Sequence, residues 1–257
     1  MTSLRKTAFV AGLLYLITYL AIPTVVLYGP ALDDPNFIAS AGNSTGILWA
    51  AILELIVAFA IVGTGVVLFP VLRRQNEGVA LGFVTSRLFE AGVITVGILS
   101  LLSIVTLQQE VGATAGADAG SLVIVGQSLV ATHDWSFLIG QTLLPGINAL
   151  LLGSLMYRSG LVPRVIPLLG LIGAPLMISS ALGQVVGINS EYSAWSAIAL
   201  VPIFLWELTL GLWLVFKGFK PSAPIMVEAA AAEVGRLDRS ATGLGAEAPM
   251  PSPAGAA

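Results

Sequence analysis

The sequence predicts an all-α membrane protein: a polytopic bundle of six transmembrane helices, with a short outer interfacial helix and a disordered C-terminal tail. Three observations predict it. Of 257 residues, 56% are hydrophobic and only 10% are charged, where soluble domains carry about 25% charged residues. The apolar residues fall into blocks of about 20 or more, the length that crosses a hydrocarbon core roughly 30 Å thick. Lysine and arginine gather in alternate connections between those blocks, as a fixed orientation in a membrane requires.

The six predicted spans are 8–28, 47–72, 79–107, 135–157, 165–187 and 195–216. Gly, Pro, Asn and Asp cluster between them, in YGPALDDPN, RRQNEG, GATAGADAG, YRSGLVPR and GINSEY, and these residues break helices. The first block follows Arg5 and Lys6 as a signal peptide would, but its apolar stretch is longer than a signal core and leads into Gly29-Pro30 without a small-x-small cleavage site. It is therefore expected to be a retained span.

Arg5 and Lys6, Arg73 and Arg74, Arg158 and Arg164, and Lys217 and Lys220 all fall on one side of a six-span bundle. The connections after spans one, three and five hold no Lys or Arg and carry Asp33, Asp34, Glu110, Asp118 and Glu191. Both termini are therefore expected to be cytoplasmic. Tyr28, Trp49, Trp135, Tyr192 and Trp195 would mark the outer interface, and Tyr157, Trp213, Phe216 and Phe219 the inner one. The segment 121–132 is apolar but half a span long, and crossing there would put four basic residues outside; it is expected as the outer helix. Three spans followed by three of opposite entry direction permit an inverted repeat, as in many transporters, but the halves show no convincing similarity. The domain is expected at 1–220. The tail, 221–257, is Ala, Pro, Gly and Glu with few large apolar groups, so it is expected to be disordered and cytoplasmic, with room for a short helix around 225–237.

Four charged residues fall inside predicted spans: Glu54, Arg87, Glu90 and Glu207. Each costs at least about 2.5 kcal/mol facing lipid, so each is expected to face the bundle interior. Helical rise places Arg87 about 12 Å, Glu90 about 16 Å and Glu207 about 14 Å from the inner ends of their helices. These three form a predicted buried polar centre. Glu54 lies about 10 Å from the outer end, in a second tier with His133, Asp134 and, nearby, Asp33. Gly78, Gly82, Ser86 and Glu90 share one ridge of small residues, which would let another helix approach. Pro202, near Glu207, is expected to kink its helix.

Two readings of the centre compete: a buried ion pair that fixes helix register, or a proton- or substrate-linked site. Three ionised groups would leave one uncompensated negative charge, so one glutamate is expected to hold a proton near neutral pH. His133 is the single histidine of the chain. A His-Asp pair at a helix start reads as an N-cap, so no metal is expected there. No cysteine is present, and no GxSxG, Walker loop or CxxC occurs. An intramembrane enzyme is thus the least favoured class, and no cofactor is expected. The net charge of −3 gives no footprint for nucleic acid. The expected partner is the lipid bilayer, with a small molecule or a proton as candidate ligand. A small transporter or transport-associated protein leads; a structural or signalling membrane subunit is the alternative.

The stretches RKTAFVAGLLYLITYLA, LELIVAFAIVGTGVVLFPVLRRQNEGVALGFVTSRLFEAGVITVGILSLLS, YRSGLVPRVIPLLGLIGAP and LWELTLGLWLVFKGF resemble the bacterial multi-pass membrane family catalogued as domain of unknown function 4386. Glu54, Arg87, Glu90, Arg158, Arg164, Glu207 and Lys217 match its charged positions. The resemblance implies a bacterial inner-membrane protein and brings no activity with it.

Overall fold

A computed structural model describes residues 3–39, 43–113 and 119–224, with 226, 227, 231 and 234. Among these residues every regular element is a helix, and there is no strand. Six helices are long and apolar enough to cross a membrane: α1 (Leu4–Gly29), α2 (Thr45–Leu72), α3 (Glu77–Ala113), α4 (Gly120–Ser159), α5 (Val165–Val185) and α6 (Ala194–Phe216). The chain is a multi-pass membrane protein. Ile22, Val26, Phe59, Phe89, Leu99 and Ile198 are all more than half exposed on the bundle's outside, a distribution that lipid, not water, satisfies.

Short connections make successive helices antiparallel. Helix α1 packs between α2 and α6, α3 between α2 and α4, and α5 between α4 and α6. The basic connections therefore share one end. There Arg5 donates to the carbonyls of Leu214, Val215 and Phe216 at 2.8, 2.6 and 3.2 Å. A cation thus caps the carbonyls that end α6, where the helix dipole is negative. Lys220 N–H donates to Leu161 O, which closes the same end. Asp33, Asp34, Glu110 and Glu191 lie at the opposite, acidic end.

Glycines set the tightest helix approaches. A Cβ on Gly12 would meet Gly211 O and Val215 N at 2.7 Å, so α1 and α6 touch backbone to backbone. Gly170 gives up the same space to the indole of the buried Trp206. The ridge expected on α3 is not such a seam. Gly78 is exposed, and a Cβ on Gly82 would meet only Leu151, at an ordinary 3.8 Å.

One expectation about the elements changes. Segment 121–132 is helical, but it is the first half of α4 and not a separate interfacial helix: Ala119–Phe137, a π-helical stretch Leu138–Leu143 and Leu144–Ser159 follow without a break. Ser100 Oγ donates to Leu129 O, so this half packs along the outer part of the long α3. The π stretch has a covalent cause. Pro145 has no N–H for the carbonyl of Gln141, so the regular ladder slips there. Pro202 does not interrupt α6. In α1 a 3-10 turn at Thr18–Leu20 precedes Pro23.

Of the belt residues, Trp49, Trp135, Tyr192 and Trp195 are exposed, whereas Tyr28 and Phe219 are buried. Tyr28 packs edge-on against His133, with ring centres 4.7 Å apart. The expected tail disorder falls, beyond Pro224 and four single positions, outside the described residues. Met226, Val227, Ala231 and Val234 carry helical backbone, in keeping with a short helix around 225–237, and Met226 packs against the core.

Candidate functional site: a polar centre shared by five helices

Arg87 is the hub. It stands on α3, three residues before Glu90, so the two side chains leave the same helical face. Its Nη1 donates to Glu90 Oε2 at 2.8 Å. Its Nη2 lies 3.6 Å from Oε1 of Glu207 on α6, an ion pair without a direct hydrogen bond. The flat guanidinium is flanked by the rings of Tyr15 on α1 and Phe83 on α3, with centroids 5.1 and 5.6 Å from Cζ. Such stacking suits a guanidinium, whose faces are poorly hydrated. Gly65 of α2 faces this side chain: a Cβ there would stand 3.4 Å from Arg87 Cβ, an ordinary contact.

Asn148 of α4 completes the cluster. Its Nδ2 donates to Glu90 Oε2 at 2.6 Å, the oxygen that Arg87 already occupies. Helical rise therefore brought three residues to one level, and packing brought them together. The chain pattern did not flag Asn148 or Tyr15. A lone Asn in the apolar run PGINALLLG was the available signal, since a buried amide needs partners.

The three charged groups differ in surroundings. The side chains of Arg87 and Glu90 are 2% and 4% exposed, and that of Glu207 is 19% exposed. Arg87 Nε, Asn148 Oδ1 and Ser86 Oγ are buried without a hydrogen-bond partner among the described residues. Glu207 lines a cavity of about 130 Å³ with Thr18, Tyr19, Gln141, Pro145, Ile203 and Phe204 among its walls. Gln141, Met177 and Leu200 line both this cavity and a second one of about 400 Å³. The second continues past Thr142, Gln184 and Ser196 to Glu191 and Tyr192 at the acidic end. Glu191 also borders a third hollow with Asp134. Partial desolvation, and then the charge of Asp134, hold the Glu191 carboxyl above its ordinary range.

The second tier forms apart from the centre. Glu54 is buried and accepts from Thr24 Oγ1 at 3.3 Å; His133 and Gln141 are its other polar neighbours. His133 is buried too, with Nδ1 3.6 Å from the exposed Asp134. The pair does not cap a helix: both residues lie inside Ala119–Phe137. Asp33 is exposed and follows the helical stretch Ala21–Leu32 that runs on from α1. No group of three His, Asp or Glu side chains able to hold a metal occurs among the described residues.

A family model described as Domain of unknown function (DUF4386) matches residues 10–218. Searches of the curated proteins and of the solved structures return no match.

Proposed function

We propose that in this chain, which belongs to the DUF4386 family, a family whose description assigns no activity, the polar centre binds a small ligand or a proton that reaches it from the acidic end. The protein would then be a small transporter or a transport-associated protein of a bacterial inner membrane, with its basic end and both termini in the cytoplasm.

The observation that carries the reading is the unequal burial of two carboxylates on one arginine. Glu90 is enclosed and doubly bonded, whereas Glu207 keeps a looser contact and faces a cavity. A centre serving only helix register would be dry and fully paired, because each unsatisfied buried polar atom costs free energy. Here a carboxylate borders open space, and Arg87 Nε and Asn148 Oδ1 are buried without a hydrogen-bond partner among the described residues. That favours a binding site over a structural or signalling subunit. We assign no catalysis, since the sequence holds no catalytic motif.

Accessibility tests it. The chain has no cysteine, so Thr142→Cys and Leu200→Cys each provide a single thiol on the cavity walls. A water-soluble maleimide applied to protein in lipid nanodiscs should label both, and Ala149→Cys, in the packed core, should stay unlabelled. Failure to label either cavity position would refute a wet approach to the centre.

A further inference from the structure

Resting on that reading, we propose that the cavity beside Glu207 binds a small organic monocation, an amine with a compact apolar body, and not an inorganic cation or an anion.

The charge comes first. Arg87, Glu90 and Glu207 are formally one positive and two negative groups in a buried setting, and an uncompensated buried charge is costly. One added positive charge beside an ionised Glu207, taking the place of a proton there, balances the cluster. Glu207 is the available partner, because Glu90 Oε2 already accepts from both Arg87 and Asn148. The way in carries the matching sign: Glu191 and Asp134 border it, and no Lys or Arg stands in the connections of that end. Acidic walls raise the local concentration of cations and repel anions.

The walls then choose among cations. A hard metal ion wants about six oxygen ligands. Here the side-chain oxygens of the lining, those of Glu207, Thr18, Tyr19 and Gln141, number five at most. What remains around Glu207 is mostly apolar: Ile22, Pro145, Met177, Leu200, Ile203 and Phe204. Tyr19 and Phe204 meet edge to face with centroids 5.1 Å apart, giving an aromatic wall of the kind that suits an ammonium's neighbouring carbons or the charge itself. The space beside Glu207, about 130 Å³, is a groove that opens past Ile22 and Leu200 and not an enclosed void. One ring and one ammonium group match that space, and Gln141 supplies an amide at the join between the two cavities.

Benzylamine and its neutral near-isostere benzyl alcohol separate charge from shape. The assay is protection of Leu200→Cys from a water-soluble maleimide in nanodiscs. Benzylamine is expected to slow labelling at least fivefold at saturation, benzyl alcohol less than twofold. Adding Glu207→Gln to Leu200→Cys should abolish the protection, and Glu54→Gln should keep it. Labelling with no protection, equal protection by the alcohol, or protection surviving Glu207→Gln would overturn the amine proposal while leaving the wet cavity intact. Absence of labelling without any ligand would instead overturn the underlying reading. The amine-to-alcohol comparison needs only the Leu200→Cys protein, so it decides the matter even if Glu207→Gln does not fold.

Discussion

Asn148 and Arg87 donate to the same atom, Glu90 Oε2, at 2.6 and 2.8 Å. That convergence fixes Glu90 as the closed carboxylate of the centre and leaves Glu207 as the open one. Hydrogen bonds to charged groups contribute about 1.5–3 kcal/mol in water-soluble proteins, and interhelical ones in membranes average about 0.6 kcal/mol. Asn148→Leu is therefore expected to destabilise the protein by about 1–2 kcal/mol, between those figures. Thermal unfolding in one detergent checks it; an unchanged midpoint would show that the amide is dispensable.

Substitutions of the charged groups should rank in a fixed order. Arg87→Ala strands two carboxylates beside two aromatic rings and should cost about 3–5 kcal/mol. Glu90→Gln keeps a hydrogen-bonding amide between Arg87 and Asn148 but loses charge, and should cost less. Glu207→Gln, bordering a cavity, should cost least, under about 1 kcal/mol. The same unfolding experiment reads all three, and an Arg87→Ala protein as stable as wild type would contradict the shared centre.

The levels of Arg87, Glu90 and Glu207 were legible in the sequence because helical rise is constant, and a charge inside an apolar run marks its own depth. Side-chain partners across helices were not legible. Asn148 is one polar residue among many apolar ones, and its meaning depends on which way α4 faces. The continuity of α4 was hidden for a different reason. Segment 121–132 is too short to span alone, and the slip at Leu138–Leu143 arises from Pro145, which reads equally well as a helix start. The small-residue ridge on α3 followed from spacing alone, whereas close approach needs a partner helix opposite. That partner exists at Gly12 and Gly170 instead.

Glycine contacts give a graded packing test. At Gly12 a Cβ would strike backbone atoms of α6 at 2.7 Å, which only a shift of the helices could relieve. At Gly63 the obstacle is the end of the Leu14 side chain, 2.9 Å away, which can rotate. Gly12→Ala should therefore lower stability by about 1–3 kcal/mol, the usual range for overpacking, and Gly63→Ala by less than half as much. Equal effects would mean that α1 and α6 are not in backbone contact.

Acidity at the mouth can be followed through Glu191. Its carboxyl titrates above the ordinary carboxylate range, from partial desolvation and then the charge of Asp134. The folded protein thus holds that proton more tightly than the unfolded chain does. Its contribution to stability is largest at low pH and is lost as pH rises from the ordinary carboxylate range through the raised value. Asp134→Asn removes the second cause and should flatten this part of the stability profile. An identical profile in wild type and variant, measured by thermal unfolding from pH 4 to 8, would separate the two carboxylates.

Glu207 as the open carboxylate of an otherwise closed centre is the central claim, and chemical modification tests it most directly. Protein in lipid nanodiscs is treated with a water-soluble carbodiimide and a small amine, then digested and read by mass spectrometry. Modification is expected at Glu207, with Glu90 and Glu54 untouched. A Glu207 that stays unmodified, or a Glu90 that reacts to the same extent, would contradict it.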